Sequence, residues 1–240
     1  MSTKDTLKKA LGFTQAEPVK VDPKNRFYYM LQQMQANRWR ITAIVLGLFF
    51  FIILGINSAV FFKVEIPNTY PHTPPLGTFV TTNNSTRFNP NLYVNGKICL
   101  SILGTWQGPG WSSTMNIRTV INSIQGLVMN ETPIINEPAY ENTTLDYKVN
   151  YNYYVEYHSI NYALCEQLLN INQHQPFDKI KDKLVSYFLK YSDKLLIRLD
   201  KLIETRQLEP VNCNYVSAHD KYDYVKLKEK VIDMIDKITK

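Results

Sequence analysis

A solitary thiol, Cys99, stands in the middle of "NPNLYVNGKICLSILGTW", residues 89–106. A cysteine nucleophile ordinarily needs a histidine base, because the thiolate and not the thiol attacks. The four histidines, His72, His158, His174 and His219, all lie well away from it in sequence. Either Cys99 is a small buried hydrophobe, as most free cysteines are, or its chemistry needs no local base. Cys165 and Cys213 are widely spaced and no CxxC pair occurs, so neither a disulfide framework nor a zinc cluster fits. Thiols used in this way suit a reducing, cytoplasmic compartment.

The elements that must position the thiol belong to a chain of 240 residues, enough for one ordinary core with appendages. Hydrophobic residues make up 45% and charged residues 20%, which is globular rather than disordered. The net charge of +6 comes from lysines interleaved with acids, so no nucleic-acid partner is expected. Residues 41–62, "ITAIVLGLFFFIILGINSAVFF", are unusually apolar and long enough to cross a bilayer. Arg38 and Arg40 precede them, which would keep the amino terminus cytosolic. Hydropathy favours a membrane helix. The alternative is a pair of buried strands, since Phe, Ile and Val dominate and Gly47, Gly55 and Asn57-Ser58 can punctuate them.

Residues 1–24 are polar and proline-containing and read as a flexible arm. Phe27, Leu31 and Met34 then fall at helical spacing. "VFFKVEIP" reads as a strand ended by Pro67, the prolines of "YPHTPP" enforce an extended crossing, and residues 77–82 form another short strand. A hydroxyl cap among Ser112, Ser113 and Thr114 would open a helix burying Ile117, Val120, Ile121, Ile124, Leu127 and Val128. Further helices are expected over residues 155–169, after Pro176 with Phe177, Ile180, Leu184, Phe188, Tyr191, Leu195, Leu199 and Leu202 as its stripe, and over residues 224–238. The order is α+β.

The run from Tyr70 to Glu141 resembles the catalytic core of ubiquitin-conjugating enzymes. "YPHTPP" resembles the family's Tyr-Pro-x-x-Pro-Pro crossing. "NPN" ends at Asn91, eight residues before Cys99, the family's spacing from its His-Pro-Asn asparagine to its thioester cysteine. Trp111 and "SSTMNIRTVINSIQGLV" resemble the tryptophan and helix that follow that cysteine. "RFNPNLYVNGKICLSILGTW" and "INEPAYE" are similar to the very large members, the hybrid conjugating enzyme/ligases and the giant inhibitor-of-apoptosis conjugating enzyme, where an asparagine also replaces the motif histidine. The resemblance covers roughly residues 60–190 and departs at "LFFFIILGINSA", where a Gly-Pro-x-x-Thr-Pro-Tyr-x-x-Gly turn would follow the second strand.

The resemblance implies a core with a small antiparallel sheet, an active-site cysteine loop, a core helix and additional C-terminal helices. Its domains would be an arm at 1–24, a catalytic core at 25–190 and a helical extension at 191–240. Cys99 would be the thioester nucleophile, Asn91 an oxyanion or loop support, and Asn89 a loop brace. Asn136 and Glu137 lie where gating residues would stand. Tyr93 and Trp106 are expected to pack beneath the cysteine. The implied partners are ubiquitin or a ubiquitin-like protein, an activating enzyme, a ligase and a substrate lysine, with no cofactor and no metal. Thioester exchange needs an accessible thiolate and a leaving group of similar basicity, so the missing histidine is no objection. The alternative is an impaired core acting as an adaptor, membrane-anchored through residues 41–62. That anchor would place Cys99 across the membrane from the ATP-driven cascade and open the sequons at Asn83, Asn84, Asn130 and Asn142 to glycosylation, which turns the balance toward buried strands.

Overall fold

The computed structural model of the chain describes residues 44–45, 48–54, 59–171 and 177–239. The arm and the short helix expected before residue 41 lie outside these. Strands β1 (Ile44–Val45), β2 (Leu48–Leu54), β3 (Ala59–Glu65) and β4 (Leu76–Phe79) form one antiparallel sheet in sequence order. Pairing between β2 and β3 runs from Leu54 opposite Ala59 to Leu48 opposite Glu65. The membrane helix expected from hydropathy is therefore corrected: the described part of residues 41–62 is strand. Among the described residues no helix is long and apolar enough to cross a membrane.

The reason lies in β3, which is buried on both faces over Ala59, Val60, Phe61 and Phe62. Phe61 stacks on Phe177 at 4.3 Å between centroids, while Phe62, pointing the other way along the pleat, meets Phe79 at 5.8 Å. A strand covered on both sides reads as an unbroken apolar run, and hydropathy alone does not separate that from a buried or membrane helix.

Helix α1 (Ile117–Ser123) follows the cysteine loop. Its cap is Asn116 rather than one of the hydroxyls before it. The Asn116 carboxamide accepts from Thr119 N–H and the Thr119 hydroxyl accepts from Asn116 N–H, both at 3.3 Å. The helix runs on through a π turn, Ile124–Val128, closed by Met129 N–H donating to the Ile124 carbonyl at 2.9 Å. Val120, Ile124 and Val128 are buried, but Leu127 is 63% exposed. The wider π turn rotates Leu127 off the stripe that a 3.6-residue period predicts.

Helix α2 (Leu145–His158) continues as π-helix through Ser159–Glu166 and starts at Leu145 rather than at residue 155, because the Thr144 hydroxyl accepts from Tyr147 N–H and caps it there. A tight turn at Phe177–Ile180 leads into α3 (Lys181–Arg206), which buries Leu184, Phe188, Leu195, Leu199 and Leu202. Strands β5 (Pro210–Cys213) and β6 (Ala218–Lys221) form a hairpin that the apolar pattern does not announce, and α4 (Tyr224–Thr239) ends the described chain. Residues of α3, β5, β6 and α4 share one hydrophobic core with β3 and α2.

Candidate active site

The Asn-Gly pair at residues 95–96 is a hairpin signal, and Gly96 takes the left-handed conformation (φ 86°) that the turn requires. Gly96 N–H donates to the Tyr93 carbonyl and Tyr93 N–H to the Lys97 carbonyl, each at 2.9 Å, and Leu92 bridges to Ile98. One step further from the turn, Cys99 N–H donates to the Asn91 carbonyl at 2.7 Å. The eight-residue spacing is thus a cross-strand register. Leu92 and Ile98 are buried and anchor the hairpin, while Phe79 N–H donates to the Gly96 carbonyl at 2.8 Å and ties it to β4. Gly77 of β4 allows this approach: a Cβ there would lie 3.0 Å from Leu103 and 3.1 Å from Ile98.

Both asparagines of the motif are spent on this hairpin. Asn89, 3% exposed, accepts from Asn91 N–H at 2.8 Å and donates to the Val128 carbonyl at 2.7 Å, joining the hairpin base to the end of the π turn that follows α1. Asn91 donates one amide N–H to the carbonyl of Cys99 itself at 2.8 Å. A primary amide carries two donors, so the second remains for another acceptor. Its oxygen is buried without a hydrogen-bond partner, a polar atom that ordinarily would have one.

After Cys99 the chain makes a short turn at Ser101–Leu103 and leaves it through Gly104 at φ 69°. Thr105 closes the loop: its hydroxyl accepts from Leu100 N–H at 2.9 Å and donates to the Ile98 carbonyl at 2.6 Å. The Cys99 sulfur lies 3.5 Å from the Thr105 carbonyl. Cys99 is only 3% exposed, less open than thioester exchange leads one to expect. Burial pushes its thiol above the ordinary value; Lys97, a hydrogen bond with Tyr93 and the Arg87 charge pull it back, and Glu137 adds to the rise.

The Arg87 guanidinium lies 3.9 Å over the Tyr93 ring and 5.5 Å from the ring of Tyr215. Trp106 does not pack beneath the cysteine, being 49% exposed. Of the two gating candidates, Asn136 donates to the carbonyls of Leu127 and Val128 at 3.1 and 3.4 Å, sealing the end of the π turn. Glu137 accepts from the Tyr215 hydroxyl at 3.3 Å. Among the described residues no group of three or more His, Cys, Asp or Glu could hold a metal ion.

Residues 55–160, which include β3, β4, the hairpin, Cys99 and α1, match the family model described as ubiquitin-conjugating enzyme. The matched segment belongs to that family. The match begins beyond most of the departing "LFFFIILGINSA" segment. Ubiquitin-conjugating enzyme E2 Z of Xenopus tropicalis is 43% identical over 135 residues, 55% of this chain and 42% of its own length. A probable ubiquitin-conjugating enzyme of Acanthamoeba polyphaga mimivirus is 32% identical over 190 residues, 74% of this chain and 12% of the relative. A dual E2 ubiquitin-conjugating enzyme/E3 ubiquitin-protein ligase of Homo sapiens is 46% identical over 90 residues, 35% of this chain and 2% of the relative. The chain therefore spans less than half the length of each of these relatives.

Three residues around Cys99 escaped the sequence reading. Arg87 stands two positions before Asn89 and could have been noticed as one of two cations, with Lys97, flanking the motif. Thr105 follows a glycine that ends a turn, a usual place for a side chain that closes onto backbone. Tyr215 carried no local signal, because only the packing of β5 and β6 on α2 brings it near.

Proposed function

We propose that the chain accepts ubiquitin or a ubiquitin-like protein from an activating enzyme as a thioester on Cys99 and passes it, with a ligase partner, to a substrate lysine. The observation that carries this reading is the Asn91–Cys99 cross-strand pair, set in a segment that matches the family. In the first step the Cys99 thiolate attacks the carbonyl of the incoming thioester; a new C–S bond forms and the activating enzyme's sulfur leaves as a thiolate. Because two thioesters of similar energy exchange, the step needs no histidine base. The charges of Lys97 and Arg87 favour the thiolate against the cost of burial.

In the second step a lysine Nζ attacks the carbonyl held on Cys99, negative charge develops on the oxygen, and the remaining amide donor of Asn91 stabilises it. Asn89 and Thr105 hold the hairpin and the loop on either side. Glu137 attracts the incoming ammonium and accepts its proton, while Asn136 keeps that loop against the π turn. The compartment that supplies ATP-charged activating enzyme is cytoplasmic. The test is to incubate the full chain with activating enzyme, ATP and ubiquitin and look for an adduct that thiols release. The adduct is expected with the natural chain and absent with Cys99→Ala. No adduct under conditions where another conjugating enzyme charges would overturn the reading.

A further inference from the structure

The hairpin of β5 and β6 lies beyond residue 160, where the family match ends, yet its turn meets Glu137 and Arg87 of the matched segment, two groups whose charges act on the thiol. Its strands are anchored by the buried Val211, Cys213 and Ala218. The turn between them carries Tyr215, which is held from three directions. Its backbone N–H donates to the Tyr147 hydroxyl at 2.8 Å, its ring meets Tyr140 and Tyr151 edge to face at 5.4 and 5.8 Å, and its hydroxyl donates to Glu137 at 3.3 Å. Arg87 ties the same ring toward the cysteine hairpin, since its guanidinium lies near both Tyr93 and Tyr215. Burial raises the Tyr215 phenol, and the Glu137 carboxylate raises it further against the opposing charge of Arg87, so the hydroxyl stays a donor throughout the neutral range. Glu137 in turn is close enough for its charge to act on the Cys99 thiol.

We propose that Tyr215 is a positioning residue for lysine discharge: the C-terminal hairpin places its hydroxyl on one carboxylate oxygen of Glu137, and so aims the other at the incoming lysine ammonium. The inference rests on the thioester reading given above. A lysine amine has an ordinary pKa of about 10.4 and arrives protonated, so it must lose a proton before it attacks. Glu137 accepts that proton and releases it to solvent. The C–N bond then forms, the C–S bond breaks with its electron pair going to Cys99 sulfur, and the second proton shed by nitrogen ends on that sulfur. A carboxylate free to rotate would meet the ammonium in fewer productive encounters. The family-matched segment supplies the thiol and the carboxylate, and the C-terminal hairpin fixes the geometry of the carboxylate.

Tyr215→Phe removes one oxygen and keeps the ring packing, so it separates positioning from folding. The full chain is charged with ubiquitin by activating enzyme and ATP, further charging is stopped, and discharge is followed with free lysine and, separately, with hydroxylamine. Hydroxylamine is already neutral at pH 7 and needs no proton acceptor. Tyr215→Phe is expected to charge within about twofold of the natural chain but to discharge to lysine about tenfold more slowly, the size expected for one lost hydrogen bond to a charged group. Discharge to hydroxylamine is expected to stay within about twofold, because the step that Glu137 assists is bypassed. In a Glu137→Gln background the Tyr215→Phe change is expected to add less than about twofold, as two members of one unit should. Unchanged lysine discharge, equal slowing with both nucleophiles, or full additivity in the Gln background would overturn the inference while leaving the thioester reading intact. Failure of the natural chain to charge would overturn both, and it is scored before any variant is compared.

Discussion

Asn89→Ala is the perturbation that most directly tests how the cysteine loop is held. The carboxamide is 3% exposed and bridges two backbone groups, accepting from Asn91 N–H at 2.8 Å and donating to the Val128 carbonyl at 2.7 Å. Truncation leaves the Val128 carbonyl with only the longer 3.4 Å bond from Asn136 and the half-buried Asn91 N–H without its acceptor, each at about 1 kcal/mol, the lower end of the range for a lost buried hydrogen bond. A small cavity adds to this. The sum is about 3 kcal/mol, a shift of roughly 6–12 °C in a chain of this size. Urea unfolding of the full chain, followed by tryptophan fluorescence and by circular dichroism, measures it. Asn89→Asp sharpens the test: it keeps an acceptor for Asn91 N–H but sets a charged oxygen against the Val128 carbonyl, so it should destabilise at least as much as Ala. A loss below about 0.5 kcal/mol for Ala, the range of an ordinary surface substitution, would refute the bridge as the element that joins hairpin to helix.

Lys97 opposes the rise of the Cys99 thiol more than any other group. Lys97→Ala should therefore raise that thiol further and lower the thiolate fraction at pH 7, of which the higher intrinsic nucleophilicity of a more basic thiolate recovers part, leaving charging about twofold slower. Initial charging rates should climb with pH through the neutral range in both proteins, and the variant's deficit should shrink in high salt; an equal or faster variant at low salt would contradict the assignment. At Cys165, burial in the core pushes the thiol up to about 12 from an ordinary 9.0, against a lowering by Lys230. The folded chain then keeps a proton that the unfolded chain gives up, so the stability is fully present below pH 9 and is lost as pH rises toward 12. Between pH 8 and pH 10 the natural chain should lose about 1.4 kcal/mol more than Cys165→Ala. Parallel pH dependences in urea unfolding would show that the thiol titrates freely in the fold.

What the sequence made legible was local. Asn91 and Cys99 stood out by the eight-residue spacing that resembles the family's, and the stripe from Leu184 to Leu202 gave α3 its buried face. Non-local features escaped. The apolar density of residues 41–62 is the same whether lipid or protein surrounds it, and Phe61 on Phe177 and Phe62 on Phe79 decide the matter only once distant segments meet. Leu127 kept a helical spacing that the π turn breaks, and nothing in "SIQGLV" marks a five-residue hydrogen bond. The β5–β6 hairpin is short, and its buried Val211 and Cys213 alternate over too few positions to stand out. Tyr215 was invisible for the same reason.

The asparagine that replaces the motif histidine fits its position for a reason that the two hydrogen bonds of Asn89 make plain. The site asks for one acceptor, for Asn91 N–H, and one donor, for the Val128 carbonyl. A neutral imidazole offers one of each, and so does a carboxamide. The two differ in titration: imidazole takes a second proton near pH 6.5 and then offers only donors, so the bond from Asn91 N–H would be lost on acidification. The carboxamide keeps both roles at every pH the chain meets. The bridge at Asn89, which sets the hairpin base against the π turn, is thus neutral at both ends. Of the charges that act on the thiol, Lys97, Arg87 and Glu137, only that of Arg87 is seen to brace the hairpin base as well, its guanidinium donating to the Pro90 carbonyl at 2.8 Å and to the Asn89 carbonyl at 3.4 Å.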